Sequence, residues 1–111
     1  MQENDCLFCK IARGEIPSTQ VFSNERIVAF KDIHPKAPTH LLVVPRKHIA
    51  SLYEATEEDR DLLGEMLLVA SQLAKESPNG ENGGRFGFNC GPWGGQEVGH
   101  LHLHVLAGKK L

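Results

Sequence analysis

The chain has 111 residues, 41% of them apolar and 23% charged, which suits one soluble domain that buries a core without cross-links. A formal net charge of −2 and a pI near 6.3 argue against partners held through bulk charge, so neither nucleic acid nor an anionic membrane is expected. No apolar run reaches membrane-spanning length and no charged-then-apolar leader opens the chain, so a cytoplasmic location is expected.

Cys6, Cys9 and Cys90 make an odd count, which does not suggest a disulfide framework. The C-x-x-C of Cys6 and Cys9 has a metal reading, a redox reading and a reading as two small core residues; no thioredoxin-like βαβ pattern surrounds it. CLFCKIARGEIPS (6–18) predicts a short amphipathic helix, with Asp5 as N-cap, Gly14 as stop and Pro17 forcing an extended exit. QVFS (20–23) and RIVAFKDI (26–33) are strand-like runs joined by a hairpin turn at Asn24-Glu25. HPKAPTH (34–40) is loop, and LLVVP (41–45) is a buried strand that Pro45 ends.

The longest helix is expected over 56–76. Thr56 and Asp59 resemble a capping box, and Glu57, Glu58 and Asp59 set negative charge at the positive end of the helix dipole. Leu62, Leu63, Met66, Leu67, Ala70, Leu73 and Ala74 recur at helical spacing and form its core face. SPNGENGG (77–84) stops it, RFGFNC (85–90) is a strand, GPWGGQEVG (91–99) a glycine-rich loop and HLHLHVL (100–106) the last strand. The sum is an α+β domain, residues 1–111, with a five-stranded antiparallel sheet, one long helix and one short one.

Half of the six histidines fall in that last strand. A strand's side-chain period of two sends His100, His102 and His104 to one face and Leu101, Leu103 and Val105 to the other. Neutral imidazoles in a row can hold zinc, or one can act as a nucleophile that its neighbours orient. Gly91, Gly94 and Gly95 just upstream let backbone N–H groups turn toward an anion. No Lys or Arg occurs between Gly87 and Gly108, and GxxxxGK[ST] is absent, which fits attack on a modestly charged phosphorus better than a P-loop triphosphatase.

At HLHLHVL the chain resembles the histidine triad (HIT) superfamily, and CLFCKIARGEIPS, AFKDIHPKAPTHLLVVPRKHI and GGQEVGHLHLHVL together are similar to its nucleotide-binding Hint branch. The resemblance implies a homodimer whose sheets join across the interface. It implies hydrolysis of purine nucleoside phosphoramidates, with adenosine phosphoramidate, AMP and GMP analogues as ligands. His102 matches the nucleophile, His104 a phosphate contact and His40 a fourth histidine near the triad, with His100 completing the set. Asn89 and Gln96 match phosphate-binding residues, assisted by the loop backbone at Gly95. Asp32 matches a ribose-binding carboxylate, and Phe8, Ile11, Phe30 and Ile33 match an apolar purine slot, or are simply core.

The resemblance also implies, for some members, structural zinc on Cys6, Cys9, His48 and His100, with no catalytic cofactor. Glu97 stands where some relatives carry a serine that donates to the leaving nitrogen, and it would do so only as a protonated acid. Gly99 replaces a common aromatic. The chain ends at AGKKL, where Hint proteins often continue into a tail that influences the leaving group accepted. Three rivals stand beside this reading: dinucleoside polyphosphate hydrolysis as in the Fhit branch, nucleotide binding with little turnover, and a catalytic metal on the three histidines.

Overall fold

The structure is a computed structural model that describes residues 6–111. The expected elements form in order: α1 (Leu7–Ala12), β1 (Gln20–Ser23), β2 (Ile27–Lys31), β3 (Thr39–Pro45), α2 (Arg60–Glu76), β4 (Gly84–Phe88) and β5 (Leu103–Ala107). The five strands make one antiparallel sheet in the order β1-β2-β3-β5-β4.

Local chemistry sets most of the boundaries. The expected cap Asp5 lies outside the described residues; Cys6 is the N-cap of α1, its Sγ accepting from the Cys9 N–H at 3.3 Å. Gly14, at φ 78°, ends the helix: its N–H bonds the Ile11 carbonyl at 3.0 Å and the Glu15 N–H bonds that of Lys10 at 2.8 Å, a Schellman pair. Asn24 builds the β1–β2 turn, its Oδ1 accepting from the N–H groups of Arg26 (2.9 Å) and Ile27 (2.8 Å). The Thr56/Asp59 capping box is present, but it opens a 3-10 turn over Glu57–Asp59 before α2 begins at Arg60.

Alternation along the strands divides the core in two. Ile27, Ala29, Leu41, Val43, Leu101, Leu103 and Val105 face α2 and pack with Leu62, Met66, Ala70 and Ala74. The opposite face of the sheet packs Val28, Phe30, Leu42 and Val44 under α1, with Cys6, Phe8, Cys9 and Ile11. Leu67, expected on the core face of α2, is 48% exposed, and its neighbour Leu68 is 74% exposed. No helix among the described residues is long and apolar enough to cross a membrane.

The last strand is shorter than its pattern predicts, beginning at Leu103 rather than His100. Its partner β3 supplies the reason. The last ladder pair is Val43 with Leu103, and two residues on, where the β3 backbone next faces β5, stands Pro45, which has no N–H to extend the ladder. The backbone at Leu101 bonds elsewhere, its N–H reaching the Ile49 carbonyl at 2.6 Å.

Candidate active site

The alternation of the histidines survives the shortened strand. Leu101 and Leu103 sit in the core beneath α2, while His100, His102 and His104 face the α1 side. The Phe8 ring meets both His100 (centroids 6.1 Å apart) and His102 (5.1 Å) edge-on, and His102 lies 5.0 Å from His104. On β3, His40 lies on the same face as Leu42, the residue paired with His104, and its ring centroid is 5.4 Å from that of His104. His40, His100 and His102 are all buried and His104 is half-buried.

Three of the imidazoles have their proton positioned by a backbone group. A carbonyl can only accept, so His102 Nδ1, 2.7 Å from the His100 carbonyl, carries the hydrogen and Nε2 keeps a lone pair. His100 is the reverse tautomer: Nε2–H donates to the Pro45 carbonyl at 2.8 Å and leaves Nδ1 bare. His40 Nδ1 accepts the Lys36 N–H at 3.1 Å, so its hydrogen sits on Nε2, 3.1 Å from His104 Nδ1 and 3.4 Å from Asp32 Oδ2. Burial holds all four rings in the neutral form. It lowers the pKa of His102 against the opposing pull of the His100 carbonyl, Asp32 and Glu97, and takes His100 down to about 4. His40 and His104 are lowered by the same cause, His104 further by the two neighbouring imidazoles.

The bare Nδ1 of His100 faces sulfur. It lies 3.2 Å from Cys6 Sγ and 3.4 Å from Cys9 Sγ, and His48 Nδ1 is 3.4 Å from Cys9 Sγ. All four ligand atoms lie within 4.8 Å of one another. Tetrahedral zinc with the usual bond lengths separates N and S ligands by about 3.5 Å, so these residues fit the ion with small adjustments. Asp32, His40 and His104 form a second group whose ligand atoms lie within 4.8 Å of one another. They do not fit, because the Lys36 N–H on Nδ1 keeps a hydrogen on the nitrogen of His40 that would have to bind metal.

The glycine loop is tied by its polar side chains. Gln96 Oε1 accepts from the Gly91 N–H (2.9 Å), and its Nε2 donates to the carbonyls of Ala50 (2.7 Å) and Val98 (2.9 Å). Both amide hydrogens are therefore spent on the loop, not turned to an anion as the resemblance implies. Asn89 follows the last β4–β5 pair, Phe88 with Leu103, so its position is across from His102; its Nδ2 donates to the Gly94 carbonyl at 2.7 Å. Gly95 turns the loop at φ 77°, a left-handed conformation that side chains disfavour, and Glu97 is exposed. Phe8, Ile11 and Phe30 are buried in the α1 core, whereas Ile33 is 85% exposed and is no part of it. Asp32 sits between, with Oδ1 accepting from the His34 N–H at 2.9 Å.

Residues 5–110 match the family described as scavenger mRNA decapping enzyme C-term binding. A HIT family hydrolase from Legionella pneumophila Philadelphia 1 has the same fold at 51% identity and a TM-score of 0.93, with 96% of this chain and 95% of that one covered. The purine nucleoside phosphoramidase of Escherichia coli K12 is 40% identical over 107 residues, covering 96% of this chain and 90% of that protein.

The chain belongs to the histidine triad family.

A zinc-bound histidine triad family protein from Mycobacterium smegmatis is also similar, at 28% identity and a TM-score of 0.84, covering 98% of this chain and 78% of that one. The Cys6, Cys9, His48 and His100 cluster of this histidine triad chain is compatible with structural zinc on its own geometry. What motif reading missed are the backbone partners: the Pro45 and His100 carbonyls and the Lys36 N–H, which set the tautomers. Main-chain atoms leave no signature in a sequence. Pro45, which signalled the end of β3, was the nearest thing to a clue.

Proposed function

We propose that this protein hydrolyses purine nucleoside phosphoramidates, such as adenosine 5′-phosphoramidate, through a nucleotidyl-histidine intermediate on His102. One contact carries the reading: the hydrogen bond from His102 Nδ1 to the His100 carbonyl, 2.7 Å long, which leaves Nε2 with a lone pair for attack. The Nε2–P bond forms as the P–N bond breaks, and the departing amine takes its proton from solvent water. Charge appearing on the imidazole is shared through Nδ1–H with that carbonyl. Water then cleaves the Nε2–P bond, releasing the nucleotide and restoring the neutral ring.

In this reading His104 and Asn89 hold the phosphate oxygens with the backbone around Gly95, while Gln96 acts by shaping that loop and Glu97 stands at its solvent side. Asp32 takes the ribose hydroxyls as a carboxylate acceptor. Phe8, Ile11 and Phe30 back the purine and Ile33 covers it from the solvent side. His40 positions His104. Zinc, when bound to Cys6, Cys9, His48 and His100, braces α1 against the sheet and supplies no chemistry.

The reading extends to a single domain acting in the cytoplasm as a homodimer, with purine nucleotides rather than nucleic acid or membrane as its partners. Support for the second copy comes from β4, which ends the sheet with Phe86 40% exposed, and from the outward Leu67 and Leu68 of α2.

The test is AMP release from adenosine 5′-phosphoramidate by wild type and His102→Ala, each with and without chelator. Release that survives chelator and falls by about 10⁴-fold or more in His102→Ala is expected, a magnitude usual for loss of a covalent nucleophile. Release from a dinucleoside polyphosphate alone, or loss of activity with chelator in a folded protein, would overturn the reading.

A further inference from the structure

Phe88 packs against the α2 core, so the alternate residues Arg85, Gly87 and Asn89 stand on the other face of the sheet, with the imidazoles. On that face Gly87 is paired with His104 and Arg85 with Leu106, whose other neighbour is His40. A Cβ at Gly87 would meet no atom within 4 Å beyond its chain neighbours, so the floor beside His104 is open. Arg85 and His104 are diagonal neighbours across the ladder, about 7–8 Å apart, a gap that a long side chain spans. The Arg85 side chain is exposed, and among the described residues it has no hydrogen bond or ion pair. No other Lys or Arg serves this side of the site: none occurs between Gly87 and Gly108, and Lys36 belongs to the loop between Asp32 and His40.

The order of the strands says what Arg85 faces. The Asp32 N–H bonds the His40 carbonyl at 3.0 Å, and from there the row steps to His104 on β5 and then to β4. With the ribose on Asp32 and the phosphorus over His102 and His104, the leaving group lies above Gly87, between Asn89 and Arg85.

We propose that Arg85 is a specificity-determining residue that pairs its guanidinium with a carboxylate on the leaving amine, so that phosphoramidates of amino acids are the preferred substrates. The planar fork of N–H donors matches a carboxylate in charge and geometry and repels an ammonium group. Glu97 orients the same group. Its exposed carboxylate acts on His102, at the Asn89 end of the row, and repels a negative leaving group toward Arg85. Arg85 projects from the face of the sheet and not from its edge, so strand pairing along β4 does not consume it. The proposal deepens the phosphoramidase reading and rests on its placement of ribose and phosphate.

The test uses the full chain and two compounds, AMP joined through a P–N bond to glycine and to glycinamide, which differ in the charge of the leaving group. Wild type is expected to favour the glycine compound about fivefold in kcat/KM, the upper range for an exposed ion pair. In Arg85→Gln the ratio falls to one or below, and in Arg85→Lys, which keeps the charge and loses the fork, it lies between. A wild-type ratio of one, or the wild-type preference persisting in Arg85→Gln, would overturn the proposal.

Calorimetric binding of both compounds to His102→Ala, which leaves them intact, separates the two readings. The glycine compound is expected to bind about fivefold more tightly there, and equally with glycinamide once Arg85→Gln is added. If wild type hydrolyses neither compound the phosphoramidase reading fails, and equal binding to His102→Ala would then overturn the role of Arg85 as well.

Discussion

Acidification removes stability from this fold through its buried imidazoles, and His100 sets the scale. The ring is wholly buried, and burial outweighs its hydrogen bond to Pro45 to lower its pKa from 6.5 to about 4. Below pH 6.5 the unfolded chain takes up a proton that the folded chain refuses until about pH 4. The stability contributed by the neutral ring is therefore complete above pH 6.5, declines through that window and is flat beneath it. One proton over that interval is worth about 3 kcal/mol, at about 1.4 kcal/mol per pH unit. Against a total of about 5–15 kcal/mol this is a large share. His40, His102 and His104 are lowered too and act in the same direction. The assay is urea unfolding of chelator-treated protein at half-unit steps from pH 7.5 to 4, in wild type and His100→Gln. Wild type is expected to lose stability steeply below pH 6.5, and His100→Gln, which cannot titrate, to lose less. Equal slopes in the two proteins would refute the assignment to His100.

Two further changes test the packing around the site. A Cβ at Gly80 would lie 1.7 Å from the Ala74 carbonyl oxygen, so Gly80→Ala must displace the end of α2; denaturant titration is expected to give a loss of about 1–3 kcal/mol or more. Gln96→Ala removes the three bonds that tie the glycine loop, with an expected loss of about 1–3 kcal/mol in stability together with reduced AMP release. Reduced release at an unchanged melting temperature would mean that the Gln96 amide serves the phosphate directly.

Patterns that depend on periodicity were legible in the sequence. The two-residue alternation of HLHLHVL separates imidazoles from core whether or not a ladder partner is present, because extended backbone alone sets it. The Thr56/Asp59 box and the Gly14 stop are local hydrogen-bond devices and needed no tertiary information. Burial on α2 was less legible: Leu67 follows the helical period of its neighbours but lies at the margin of the apolar stripe, where no strand covers it. Gln96 shows a different limit. A polar side chain in a glycine loop suits an anion or the loop's own backbone equally well, and here its amide hydrogens go to the Ala50 and Val98 carbonyls. Ile33, apolar and next to a strand, reads as core or slot, yet it projects into solvent because β2 has already ended at Lys31.

Pro45 joins these threads. Lacking an N–H, it stops the β3–β5 ladder at the Val43–Leu103 pair, three positions short of His100, and its carbonyl accepts the His100 Nε2–H instead. That bond turns His100 Nδ1 toward Cys6 and Cys9, while the His100 carbonyl takes the Nδ1–H of His102. One residue thus serves the sulfur cluster with its side chain and orients the candidate nucleophile with its main chain. Had β5 run unbroken through His100, the ladder would have claimed backbone groups of this segment that now serve imidazoles. The regular strand that the sequence pattern suggests is less useful to the site than the interrupted one that a single proline produces.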